Sequence, residues 1–103
     1  MKSFSSEIGG AAYNLASKST GVSHAEAKDT LASQFSTLAW NDLVEIYLAA
    51  CTLHEMAYSV ASDVRDKKLT EAAANIVLRQ KCPGFSDEVY KRAYGDGMFE
   101  SLW

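Results

Sequence analysis

Between Asn41 and Asp66 the chain carries a stretch that is satisfied only by a long helix. At about 100° per residue, Leu43, Ile46, Tyr47, Ala50, Leu53, Ala57, Val60, Ala61 and Val64 fall on one broad arc. Val44, Leu48, Cys51 and Tyr58 widen that arc. Glu45, Thr52, Glu55, Ser59, Asp63 and Asp66 keep a narrower polar stripe. A helix apolar around most of its circumference has to be covered on several sides. This segment, with Asn41 or Asp42 as its cap, is therefore read as the centre of the fold.

The remaining segments read as its cover. A first helix is expected over about 6–19, with Ile8, Ala11, Ala12, Leu15 and Ala16 inward and weakened by Gly9-Gly10. Gly21 stops it. Ser23-x-x-Glu26 is a capping box that opens a second helix, inward-facing through Ala27, Leu31 and Phe35 and ending near Ser36. Lys67-Lys68 suit the end of the long helix. Thr70 caps a fourth, with Ala73, Ile76, Val77 and Gln80 expected inward, and Pro83-Gly84 ends it. Ser86 caps the fifth, with Asp87 and Glu88 in its first turn, Phe85 stapled onto Tyr90, and Gly95 as its stop. Asp87 with Lys91 and Glu88 with Arg92 are spaced as helix-surface ion pairs. The expected fold is all-α: one domain over 1–103, a compact bundle of about five helices around the helix at about 41–66.

Size and charge then narrow the function. A chain of 103 residues removes roughly two-thirds of its unfolded surface from water, enough for a core without metal or disulfides. Residues 1–60 hold three basic and six acidic side chains and residues 61–103 seven of each, so the first part carries the whole net charge of -3. Nucleic-acid binding rests largely on phosphate neutralisation, and no region is basic enough to favour it. No apolar run approaches the roughly 20 residues of a membrane span. The opening Met1-Lys2-Ser3-Phe4-Ser5 lacks the apolar run of a signal peptide. A cytoplasmic protein with Cys51 and Cys82 as free thiols is the expectation.

Candidate chemistry is sparse. His54-Glu55-Met56-Ala57-Tyr58 falls one residue short of the zinc-peptidase pattern H-E-x-x-H, because Tyr58 stands at the second ligand position. His54 is read as a hydrogen-bonded core histidine. Cys51 and His54 are spaced as a nucleophile pair, but nothing marks an orienting acid or an oxyanion site. No catalytic residue, metal ligand or cofactor is expected. Leu15 to Ser23 resembles the turn of a helix-turn-helix unit, with a helix, then Gly21-Val22-Ser23, then a capped helix. The resemblance covers about twenty residues and departs from the pattern at Ser17 and Thr30. It implies a DNA-binding regulator, whose reading helix would here present Glu26 and Asp29 to phosphates.

The leading expectation is a non-enzymatic interaction protein that binds a larger protein or complex as an inhibitor or adapter. In size and acidity the chain is similar to small phage-encoded inhibitors of host defence and nucleic-acid-processing complexes, anti-CRISPR proteins included. The helix-turn-helix regulator is the alternative, and association of two copies stays open. The expected partner is a protein with a basic surface, met by Glu26, Asp29, Asp42 and Glu45. Five of the eleven aromatics, Phe85, Tyr90, Tyr94, Phe99 and Trp103, lie in the last nineteen residues. Tyr94, Phe99 and Trp103 are expected as desolvated anchors.

Overall fold

A computed structural model describes residues 6–17 and 23–101 and shows an all-helical bundle. The helices are α1 (Ser6–Ser17), α2 (His24–Gln34), α3 (Trp40–Arg65), α4 (Glu71–Lys81) and α5 (Asp87–Glu100). α3 is about 39 Å long at 1.5 Å per residue. It touches all four other helices, most extensively α5 and α1. Leu43, Ile46, Tyr47, Ala50, Leu53, Ala57, Val60 and Ala61 are buried along it, as its apolar arc requires. Leu48 and Tyr58 depart from the expectation: at 100° per residue Leu48 falls within the polar stripe and Tyr58 at the margin of the apolar arc, and they are 52% and 44% exposed.

Three helix starts are set by local chemistry. Ser23, Thr70 and Ser86 each accept a backbone N–H three residues on, from Glu26, Ala73 and Val89, which satisfies one otherwise orphaned donor. α3 begins differently. Neither Asn41 nor Asp42 caps it; Ala39 holds the cap position with no side-chain hydrogen bond, and its carbonyl accepts from Asp42 and Leu43. Asp42 instead occupies the first turn, where a carboxylate suits the helix dipole. At the far end, Lys68 N–H donates to Asp63 C=O and Lys67 N–H to Val64 C=O. This Schellman pattern places Lys67 at φ 62°.

Two expectations about faces and ends are corrected. In α4 the buried residues are Ala74 and Leu78, with Ala73 and Val77 half-buried, whereas Gln80 is exposed and Ile76 is 56% exposed. The run Ala72 to Ala74 and Ile76 to Leu78 is apolar on every side, so periodicity does not single out one stripe. Gly95 does not stop α5, which continues through Gly95 and Gly97 to Glu100. Gly97 is buried where α5 crosses α3: a Cβ there would stand 2.7 Å from the Ala57 carbonyl carbon and 3.0 Å from the Tyr58 nitrogen. Contacts that close with backbone admit only glycine. Packing gained at the crossing offsets a helix-propensity cost of about 1 kcal/mol.

The turn between α4 and α5 is organised by Tyr90. Its hydroxyl donates to Cys82 C=O at 2.6 Å and accepts from Phe85 N–H at 3.3 Å. Its ring meets Phe85 edge-on at 6.1 Å, the staple anticipated from sequence. Gly84, at φ 103°, makes the tight bend. Asp87 pairs with Arg79 of α4 at 2.6 Å rather than with Lys91. Arg92 turns its guanidinium toward the Tyr13 ring, 5.4 Å from the centroid, and so helps tie α5 to α1.

Candidate partner-binding surface

The residues expected to meet a partner divide between two ends of the molecule. Glu26 and Asp29 are exposed on α2, Glu45 is exposed on α3, and Asp42 is half-buried in the first turn of α3. Phe99, on the last turn of α5, is 61% exposed. Tyr94 is half-buried against the core and lines a groove of about 470 Å³ between α4 and α5 with Glu71, Asn75, Arg79 and Lys91. Phe85 and Tyr90 are core residues. Trp103 lies outside the described residues. Because Gly97 crosses α3 at Ala57, the end of α5 lies 12 to 15 residues beyond Glu45 and Asp42. That is about 20 Å along the helix.

Beyond the four named carboxylates, exposed residues run the whole length of α3, from the acidic end past the α5 crossing. On the outer side of α3, Asn41, Glu45, Leu48, Thr52, Glu55, Ser59 and Asp66 are exposed, and helical geometry puts them within one arc. Exposed Leu38 (38%) and Trp40 (49%) lie just before and at its start. Among the described residues, four of the six large exposed hydrophobics thus lie on α3 or the turn leading into it. Charge and spacing mark the carboxylates, whereas sequence reasoning misses Leu38, Trp40, Leu48 and Tyr58. Apolar character alone assigns Leu48 and Tyr58 to the core, whereas helical position puts Leu48 within the polar stripe and Tyr58 at the edge of the apolar arc.

Between α2 and α3 runs a groove of about 520 Å³, lined by His24, Lys28, Leu48, Cys51, Thr52 and Glu55. His24, on its wall, shares a hydrogen bond of 2.7 Å between Nδ1 and the hydroxyl of buried Tyr47, the rings edge-to-face at 5.7 Å. Burial and the Cys51 neighbour push the Tyr47 hydroxyl up to about 12. Burial pushes the Cys51 thiol up, against a lowering hydrogen bond from Tyr47. A thiol raised in this way is protonated at neutral pH and a poor nucleophile.

Cys51 and His54 have different partners. The His54 ring stands edge-on to Tyr13 at 6.1 Å, with Nε2 3.5 Å from Glu100 of α5. Nδ1 is buried with no hydrogen-bond partner among the described residues. The expected hydrogen-bonded core histidine is instead half-buried, with one ring nitrogen at ion-pair distance from a carboxylate and the other without a partner among the described residues. Tyr13, fully buried, donates to Asp96 at 2.8 Å, and desolvation together with that carboxylate drives its hydroxyl far above the ordinary phenol range. Tyr13, Asp96, His54 and Glu100 join α1, α3 and α5, a link that sequence spacing does not reveal because its partners are up to 83 residues apart.

Among the described residues, no three His, Cys, Asp or Glu side chains are placed to hold a metal ion. Both cysteines are free, and among the described residues no helix is long and apolar enough to cross a membrane. The centre of the helix-turn-helix resemblance, residues 18–22, lies outside the described residues. Comparison with protein-family models, curated proteins and solved structures finds no match to the chain.

Proposed function

We propose that this chain is a non-enzymatic interaction protein that binds a larger protein or complex through the outer side of α2 and α3, as an inhibitor or adapter. The observation that carries this reading is the mixture on that side: exposed Leu48 among exposed Glu26, Asp29, Glu45 and Glu55, with exposed Trp40 at the start of α3. Carboxylates attract and orient a basic partner and raise its on-rate. Large apolar side chains supply the contact area that charge does not. A cytoplasmic partner with a basic surface fits, including a nucleic-acid-processing or defence complex held in check by this chain. Phe99, about 20 Å away along α3, is a second anchor for a partner wide enough to reach it.

A pull-down with the full chain, read by mass spectrometry, identifies the partner. Surface plasmon resonance at two salt concentrations then tests the mechanism. The double reversal Glu26→Lys, Asp29→Lys slows association, and the slowing shrinks as salt rises. Circular dichroism checks that the fold survives. Binding indifferent to both salt and the reversal removes the electrostatic part of the proposal. Salt-dependent, sequence-specific binding of a DNA duplex replaces it with the alternative, a helix-turn-helix regulator.

A further inference from the structure

α2 is attached to the rest of the molecule differently from the other helices. It touches α1 and α3 but neither α4 nor α5. Only Ala27 and Leu31 are buried along it, and seven of its eleven residues, His24, Ala25, Glu26, Asp29, Thr30, Ser33 and Gln34, are exposed. A side-chain hydrogen bond between His24 and Tyr47 ties its first turn to α3. α4, by contrast, buries a similar pair, Ala74 and Leu78, but is clamped to α5 through Arg79, which pairs with Asp87 and lies 4.6 Å over the Tyr90 ring. The α1–α3–α5 body closes without α2, through Gly97 on Ala57, Tyr13 on Asp96 and His54 against Glu100.

We propose that α2 is a hinged arm that opens as a unit on the intact α1–α3–α4–α5 body, latched by the His24–Tyr47 hydrogen bond. Segments with few buried apolar contacts open at free energies well below global unfolding. Opening uncovers Tyr47, fully buried in the closed molecule, and the Cys51 side of the groove. The arm carries Glu26 and Asp29, but the inference does not depend on what the chain binds.

Amide hydrogen exchange followed by NMR on the full chain tests it. Amides of α2 are expected to exchange at least about 100-fold faster than the slowest amides of α3. The decisive variant is in the body. Leu78→Ala, remote from α2, speeds the slowest α3 amides by roughly 30-fold or more and leaves α2 exchange unchanged, because the body stays folded while the arm is open. Leu78→Val serves in its place if the alanine variant does not fold. Tyr47→Phe removes the latch and speeds α2 exchange about 2- to 10-fold. The proposal is overturned if α2 and α3 exchange at one rate, if the Leu78 variant speeds both alike, or if Tyr47→Phe leaves α2 unchanged.

Discussion

At position 97 one methyl group decides whether α3 and α5 can meet. A Cβ there runs into the Ala57 and Tyr58 backbone, which cannot rotate aside as a side chain can. Gly97→Ala is expected to cost about 1–3 kcal/mol in chemical denaturation, net of its better helix propensity. Gly95, two residues earlier on the exposed side, is different: a Cβ added there meets nothing within 4 Å. Gly95→Ala should therefore stabilise by about 0.5–1 kcal/mol; a loss instead would show that α5 bends at that point. In the sequence Gly95 reads as a stop, because a glycine that ends a helix and one that a helix runs through look alike until the neighbours are known. The buried tyrosines make a second residue-level prediction. Their folded hydroxyls are held above the ordinary value of 10, so above pH 10 the unfolded chain loses those protons first. Stability is complete below about pH 10 and falls as pH rises from there, for Tyr47 until about 12. Urea midpoints measured from pH 8 to 11 should drop more steeply for the parent than for the Tyr13→Phe, Tyr47→Phe variant.

Among the elements, α3 carries the fold. Leu53 is fully buried at its middle, and Leu53→Ala is expected to cost about 2–5 kcal/mol through lost transfer energy and the cavity left behind. A loss under about 1 kcal/mol would mean that this face collapses freely around the gap. The long helix, the caps Ser23, Thr70 and Ser86, and the Phe85–Tyr90 staple were legible because each is written in neighbouring residues. The inward stripe of α4 was not, since its apolar residues surround it and the choice of Ala74 and Leu78 belongs to α3 and α5. The cap of α3 lies two or three residues before its sequence reading: Asn41 and Asp42 are good caps, but Trp40 already enters the helix and Ala39 holds the cap position. Partners distant in the chain, such as Tyr13 with Asp96, leave no local pattern at all.

At the scale of the whole molecule, the Cα trace spans 43 × 31 × 17 Å. A body this thin has two broad faces and a large share of its residues at the surface. The acidic carboxylates were legible as candidates from their grouping in the first part of the chain, and Leu48, 52% exposed, sits among those of α3 because its helix position falls within the polar stripe. Exchange of Leu48 for Ala separates their roles. With Leu48 52% exposed, Leu48→Ala should change stability by less than about 0.5–1 kcal/mol. The same variant should raise the off-rate of the captured partner measurably, as loss of an apolar anchor does. An unchanged off-rate would move the apolar part of the interface toward Phe99.

The crossing at Gly97 also bears on how such a sequence can drift. Most buried positions tolerate exchange among side chains of similar volume, because neighbours repack. Position 97 faces main chain, so no compensating change in a partner side chain can make room. A homologue that keeps this helix crossing will have glycine there even where the rest of its core has been rewritten, and a homologue with any other residue at 97 will have moved α5 on α3.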